Sequence, residues 1–421
     1  MITTEAALHL VIENVKRLAV ERVSLREALA RVLAEEIRSP RDIPGFANSA
    51  MDGYAVRAAD VAAAREDRPV RLKVVETVGA GLMPIHRVGA GETVRTMTGA
   101  PVADGADAIV PVERTRSLGE AVEILAAATV GAFVRPRGED LRRDELVIAA
   151  GKTLSAADVG MLASLNRAMV DVYRRPRVAI VATGDELVDV DQAPTGAQVV
   201  NSSAYALAAA IGEAGAEATI LKVARDRPEE IRERLGEALA FDAVLSTGGV
   251  SVGQFDHVKQ ELDGLGLNQM FHGVAQKPGR PLKFGTIAGK PVFGLPGNPV
   301  STMVCFYLYV RPALRKMGGR SDLGLPRLAV RCAVEIRLAD GLTEFVRVTL
   351  ERRDGELYAT PTGNQSSGVL SSLARADALL IGPAELTVLK PGDQATVLLL
   401  DAAAALACSP AFEEARLRQK N

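Results

Sequence analysis

The sequence predicts an α/β protein carrying additional β domains, and two patterns together with chain length point there. Between residues 177 and 300, apolar strand-like runs alternate with amphipathic helical ones, the βαβαβ order that builds a parallel sheet covered on both faces. On either side, around residues 53–140 and 328–400, short β-like runs are separated by glycine-containing turns, which read as two smaller β domains. At 421 residues the chain is long enough for two to four domains.

Taken in order, residues 3–37 read as helical. Leu8, Val11, Ile12 and Val15 recur at helical spacing, and Ser24 with Glu27 forms a capping-box pattern ahead of Leu25, Leu29, Val32 and Leu33. A loop marked by Pro40 and Pro44 leads to Asp52-Gly53, a turn signal running into a short strand. The runs 70–78, 93–97 and 108–112 follow; a helix capped near Ser155 then returns, so the first β domain is inserted into an N-terminal helical one. The α/β block is expected to comprise a strand over 177–182, a helix over 201–212, a strand over 219–224, a helix over 228–240, the apolar run from Val244, a strand over 292–294 and a helix over 302–314. After a linker at 318–327, the runs 328–336, 345–351, 379–381 and 395–400 read as the C-terminal β domain. The expected division is 1–45 with 146–173 (helical), 46–145 (inserted β), 174–317 (α/β), 318–400 (C-terminal β) and a tail over 401–421.

Composition narrows the function classes. Hydrophobic residues make up 48% of the chain, enough for several cores. A net charge of −2 without a Lys/Arg run leaves no electrostatic footprint for nucleic acid. Cys305, Cys332 and Cys408 lack paired spacing, which argues against a disulfide framework or a zinc site. The start Met1-Ile2-Thr3-Thr4-Glu5 has no basic region ahead of an apolar one, and the apolar run 395–407 is interrupted by Asp401 and short of a bilayer span. A cytoplasmic protein without membrane or nucleic-acid partners is expected.

Chemistry-bearing residues gather at the predicted strand ends. Thr183-Gly184-Asp185-Glu186 follows the first strand, Arg225-Asp226 the second, and the loop Gly248-Gly249-Val250-Ser251-Val252-Gly253-Gln254-Phe255-Asp256 the third. In open parallel sheets ligands bind outside the carboxyl ends of the strands, and glycines let backbone N–H groups approach an anion at a helix N-terminus. Lys277 and Arg280 sit on a proline-stiffened turn, and Pro296-Gly297-Asn298-Pro299-Val300-Ser301 opens a helix; together these make an anion cradle. Gly249-Val250-Ser251-Val252-Gly253 also matches a nucleophile elbow, but none of the four histidines follows residue 272, where a hydrolase triad of that class needs one. There is no P-loop lysine, and no G-x-G-x-x-G opens the first strand.

Seven motifs in order, Asn48-Ser49-Ala50-Met51-Asp52-Gly53-Tyr54-Ala55, Thr98-Gly99-Ala100-Pro101, Arg137-Gly138-Glu139-Asp140, Thr183-Gly184-Asp185-Glu186-Leu187, Gly248-Gly249-Val250-Ser251-Val252-Gly253, Lys277-Pro278-Gly279 and Gly294-Leu295-Pro296-Gly297-Asn298-Pro299-Val300-Ser301, resemble those of the molybdopterin molybdenumtransferase (MoeA) family. That family includes the E domains of gephyrin and Cnx1, and the resemblance runs from about residue 5 to 400. It implies an elongated four-part subunit that dimerises, with a three-layer α/β molybdopterin-binding domain. It further implies that molybdenum from molybdate is inserted into adenylylated molybdopterin with release of AMP, in the presence of Mg²⁺. By resemblance, Asp52, Thr98, Glu186, Asp226, Asp256, Lys277 and Arg280 carry the reaction, with Glu186, Asp226 and Asp256 as oxygen ligands for Mg²⁺. Asp140, Thr183, Gly184, Asp185, Gly248, Gly249, Ser251, Gly253, Pro296, Gly297, Asn298 and Ser301 would hold the pterin substrate, with Arg347, Ser367 and Ser371 closing the site from the C-terminal domain. Asp52 and Thr98 would reach it from the other subunit across the dimer cleft. The implied partners are the adenylyltransferase that supplies the substrate and the apo-enzymes that accept the cofactor. The chain departs from the family pattern at Arg280, usually lysine, and at Ser366, usually glycine. The alternatives to this reading are the preceding adenylyltransferase step and a non-catalytic binding or scaffolding role.

Overall fold

Alternation along the strand Arg177–Ala182 explains the central architecture. Val178 and Ile180 point into one core with Leu207, Ile211, Leu245, Phe284 and Phe293; Ala179 and Val181 point into another with Ile231, Leu235, Val244, Leu262 and Val292. A strand apolar on both faces must be covered on both, giving a three-layer α/β sandwich. Burying each large aliphatic side chain contributes about 1.5–3 kcal/mol, so these two layers hold most of the stability of the block. The computed structural model describes residues 1–248 and 257–400.

The central sheet has six strands, in the order Glu217–Ile220, Arg177–Ala182, Ala243–Thr247, Lys290–Leu295, Lys283–Ile287, Asn268–His272. The first four pair in parallel. The last two join by antiparallel pairing, so the sheet is mixed where the sequence predicts a parallel one. The predicted strand over 219–224 lies earlier, at Glu217–Ile220, with Ala224 making only an isolated bridge to Thr183. Helices Ser202–Glu213 and Pro228–Ala238 fall close to their predicted places. The helix expected over 302–314 starts at Pro299 and reaches Met317 through a π-helical stretch, Phe306–Val310.

The C-terminal strands close on themselves. Thr343–Arg353 pairs with Glu356–Pro361, then Arg327–Cys332, Gln394–Leu399 and Ala378–Gly382 follow, and the last returns to the first. Closure removes free sheet edges and buries Val330, Val346, Val348, Leu380 and Val397 inside. The short strand Gln276–Lys277 of the α/β block adds to this sheet in parallel beside Thr343 and Glu344.

The N-terminal segment corrects the helical expectation over 3–37. Thr4–Glu13 is a helix capped by Thr3, but Val20–Ser24 is a strand paired antiparallel with Met169–Tyr173. The Ser24/Glu27 capping box does form, yet it opens only one 3-10 turn, Leu25–Glu27, because Ala30 takes a left-handed φ of 61° that ends the helical path. Val32 and Leu33 then bridge to Thr153 and Val172.

The chain divides into two compact units, the one above (Met1–Ala34, Gly151–Val159 and the chain from Ala168) and a second of Glu35–Ala150 with Gly160–Arg167. The second is built on a six-stranded sheet, ordered Ala108–Pro111, Gly53–Val56, Glu92–Thr96, Val70–Val78, Ala121–Ile124, Thr115–Ser117. Tyr54, Val56 and Val110 face one core while Ala55, Val94 and Ile109 face the other. Gly53 is required by contact: a Cβ there would sit 2.2 Å from the Val110 carbonyl oxygen. Among the described residues no helix is long and apolar enough to cross a membrane.

Candidate functional site

Strand ends bring the predicted residues together. Thr183 closes the Arg177–Ala182 strand, its N–H donating to the Thr247 carbonyl at 3.0 Å, and Gly184 N–H donates to the Ala224 carbonyl at 3.2 Å. The ends of two strands and the loop that follows a third are thus tied side by side. Gly248 has φ +89°, and a Cβ there would lie 2.6 Å from the Thr183 carbonyl oxygen; Gly297 packs on its other side. Only glycine lets these loops approach so closely.

Above them lies a groove of about 620 Å³, lined by Thr183, Glu186, Asn201, Thr247, Gly248 and Asn298 among others. Ser202 and Ser203 add to its polar side, while Leu187, Val199, Val200 and Pro299 give it an apolar one. Two helix N-termini meet here: Asn201 caps Ser202–Glu213, accepting from Ala204 N–H, and Asn298 precedes Pro299 at the start of the other. The helix dipoles make such ends favourable for phosphates, the N–H donors coming from the Ser202 end, since Pro299 has no N–H and Val300 gives its own to the Ser367 carbonyl. Asn201, Ser202 and Ser203 are absent from the residues expected at the site, although an Asn-Ser-Ser triplet opening an apolar helix is a helix-cap signal that places a helix N-terminus there.

The acids divide. Glu186 faces the groove, its carboxylate against Gly184. Asp185 and Asp226 interlock, each accepting a backbone N–H from the other at 3.3 Å, while Arg225 donates to the Asp185 and Leu187 carbonyls. Glu186, Asp185 and Asp226 are all exposed and so keep oxygen atoms for a hard cation. Among the described residues no group of three His, Cys, Asp or Glu assembles that could hold a metal ion. Gly249, Ser251, Gly253 and Asp256 lie outside the described residues.

The cations are held elsewhere in the same unit. Lys277 Nζ pairs at 2.9 Å with Glu344, a buried carboxylate of the C-terminal barrel that also accepts the Ala339 N–H. Arg280 Nε donates to Met1 Sδ at 3.0 Å. Neither lines the groove. Beneath their turn, Tyr309 donates to Gln276 Oε1, Gln276 Nε2 donates to the Pro278 carbonyl at 2.9 Å, and Cys305 Sγ reaches the Gly279 carbonyl. Burial pushes the Cys305 thiol and the Tyr309 phenol well up, so both stay neutral and serve as fixed donors.

From the barrel, Ser367 Oγ accepts from Asn298 Nδ2 at 3.0 Å, and its carbonyl accepts from Val300 N–H. Arg347 is 1% exposed and donates to Ser372 Oγ and the Ser366 carbonyl, so its guanidinium fixes the loop that carries Ser367; Ser371 is exposed. Ser301 is buried in the first turn after Asn298, and Pro296 O accepts from Thr302 Oγ1.

In the second unit Asp52 and Thr98, 46 positions apart, come together: Asp52 Oδ1 accepts Thr98 N–H at 2.7 Å and Thr98 Oγ1 at 2.8 Å. Those two bonds, with Arg95 nearby, hold the Asp52 carboxyl below its ordinary value and keep it ionised. Asp140 is exposed; in its loop it is Asp42 that pairs with Arg137, at 2.6 Å.

Comparisons with known proteins cover nearly the whole chain. Family models described as the MoeA N-terminal region (domain I and II), a probable molybdopterin binding domain and the MoeA C-terminal region (domain IV) match residues 2–166, 179–316 and 329–400. A molybdopterin molybdenumtransferase of a Nostoc species is 39% identical over 388 residues, 90% of this chain and 88% of that one. A molybdopterin molybdenumtransferase 2 of Mycobacterium tuberculosis is 35% identical over 381 residues, 89% of this chain and 94% of that one. The solved structure of a molybdopterin biosynthesis MoeA protein from Pyrococcus horikoshii superposes with a TM-score of 0.83 at 32% identity, covering 96% of this chain and all of that one.

Proposed function

The chain belongs to the molybdopterin molybdenumtransferase (MoeA) family, and from that premise we propose how its residues insert molybdenum during molybdenum cofactor biosynthesis. The substrate is adenylylated molybdopterin; molybdate supplies the metal and AMP leaves. The observation that carries this reading is the groove at the strand carboxyl ends, where two helix N-termini meet and the Ser202 end, with Thr183, Thr247 and Gly248, offers donors to a phosphorylated ligand.

Glu186 and Asp226 would be the oxygen donors for Mg²⁺, an ion that needs only one or two carboxylates and keeps several waters; the Asp256 carboxylate would be the third. Bound there, Mg²⁺ would neutralise phosphate charge and act as a Lewis acid toward the leaving group. The protein's own part is positioning: Asn201 and Asn298 orient the phosphates and Ser367 closes over Asn298, while Lys277, fixed by Glu344 outside the groove, serves a part of the substrate that extends beyond it. Asp52 and Thr98 form a preassembled carboxylate–hydroxyl pair, contributed from the partner subunit of a homodimer. The enzyme works in the cytoplasm.

AMP release from adenylylated molybdopterin, measured with and without molybdate and Mg²⁺, tests this. Release that needs both, and that is lost in Glu186→Gln and Asp256→Ala, is the expected result. No release from folded protein would leave binding or scaffolding, and ATP consumption without molybdate would indicate the adenylyltransferase step. Molar mass in solution tests the dimer.

A further inference from the structure

Away from the groove, a small cavity is lined by five arginines, Arg31, Arg174, Arg175, Arg315 and Arg320, and by no carboxylate. The remaining wall is Ala30, Val32 and Tyr173, together with Ala214, Gly215 and Gly318 at the ends of helices Ser202–Glu213 and Arg311–Met317. We propose that this cavity is a binding site for a small inorganic anion.

Charge accounting leads there. Glu21 is bonded to Arg31, Asp242 to Arg174 through both oxygens, and Asp322 to Arg315 and Arg320. The two helix C-termini add about half a negative charge each. Together these leave about one of the five positive charges uncompensated. The next layer does not remove the excess: Glu217 faces Arg174 and Glu213 faces Arg311, while Arg177 shares Asp242 and Arg311 itself faces Arg315, so two further charges of each sign cancel. Asp322 and Glu21 are 66% and 41% exposed, so water screens much of what they supply.

Hydrogen bonding points the same way. Arg31 and Arg315 are more than nine-tenths buried, and the Nε of each meets no acceptor among the described residues. Buried donors ordinarily have partners, so both guanidinium groups at this cavity are short of acceptors. Arg175 is exposed and pairs with no carboxylate among the described residues. Burial above all, with repulsion from Arg311 and Arg320, outweighs Asp322 and draws the Arg315 guanidinium down to about 10. The space, about 20 Å³, admits one particle the size of a water molecule or a halide, or one oxygen of a tetrahedral oxyanion projecting outward.

The test is the thermal unfolding midpoint of the full-length protein at constant ionic strength, as potassium gluconate, too large for the cavity, is replaced by chloride or by phosphate. The midpoint is expected to climb with chloride, phosphate or both, as binding to the native state requires, and to stay level in Arg175→Ala and Arg320→Ala. A climb in chloride marks a halide seat; one in phosphate alone marks an oxyanion corner. In crystals soaked in bromide, an anomalous peak among the five guanidinium groups would agree. Level midpoints in the parent, or an equal climb in both variants, would overturn the proposal and leave the arginines as caps on two helix ends.

Discussion

Gly248→Ala is the sharpest probe of the groove. An alanine at φ +89° carries a left-handed penalty of about 1–2 kcal/mol. Its Cβ would also stand 2.6 Å from the Thr183 carbonyl oxygen and 3.1 Å from Thr183 Oγ1, where ordinary contact begins near 3.4 Å. Because the Thr183–Gly184 peptide is held by the Gly184 N–H bond to the Ala224 carbonyl, the Thr183 oxygen cannot turn away freely, and overpacking of this kind costs about 1–3 kcal/mol more. The variant should therefore lose about 2–5 kcal/mol of unfolding free energy with an unchanged denaturant slope, and bind adenylylated molybdopterin more weakly. Gly368→Ala is the internal control: it lines the same groove, yet its Cβ would meet nothing within 4 Å, so its stability should stay within about 0.5 kcal/mol of the parent. Urea unfolding followed by far-ultraviolet dichroism and a ligand titration read both. Parent-like stability and binding for Gly248→Ala would refute the argument that close approach at the strand ends builds the groove.

Three further outcomes are expected. Gly53→Ala, at an ordinary φ but 2.2 Å from the Val110 carbonyl oxygen, should destabilise the second unit by about 1–3 kcal/mol, read by hydrogen exchange in the Glu92–Thr96 and Ala108–Pro111 strands. Tyr309→Phe should cost about 1–3 kcal/mol by leaving Gln276 Oε1 without its donor, and should raise the KM for an anionic substrate if the turn of Lys277 loosens; an unchanged KM would separate that turn from binding. At Asp242, burial would raise the carboxyl, but the Arg174 fork and the Arg177 N–H outweigh it and hold it below its ordinary value. A depressed native value contributes stability that is present above the unfolded value near 3.8 and is lost as pH falls through the native one. Asp242→Asn should accordingly lower stability at pH 7 and flatten its decline below about pH 4, seen by urea midpoints across that range.

The α/β core was legible because its strands are apolar on both faces and its helices begin at recognisable caps; Arg177–Ala182 falls where the sequence puts it. The antiparallel edge, Asn268–His272 with Lys283–Ile287, was not, since half-buried strands such as Asn268–His272 show no continuous apolar run and join the sheet only through tertiary pairing. Residues 20–33 carry helical spacing and a true capping box, but pairing with Met169–Tyr173 outweighed that local preference. The strand-end residues Thr183, Glu186, Gly248 and Asn298 could be found from polar residues following apolar runs. Glu344 could not: nothing in its neighbourhood in sequence indicates that a buried barrel carboxylate will meet Lys277.

The strand Gln276–Lys277 gives the α/β block and the barrel a shared seam, because its residues lie in one by sequence and in the sheet of the other by pairing with Thr343 and Glu344. Neither part can then melt without uncovering backbone of its neighbour, so the two should exchange their amide protons as one cooperative unit. Cutting the chain in the segment before Arg327 would not release an independent core. It would leave Gln276 and Lys277 as an orphaned edge strand, open to pairing with another chain, and would strip Lys277 of the carboxylate that sets its direction.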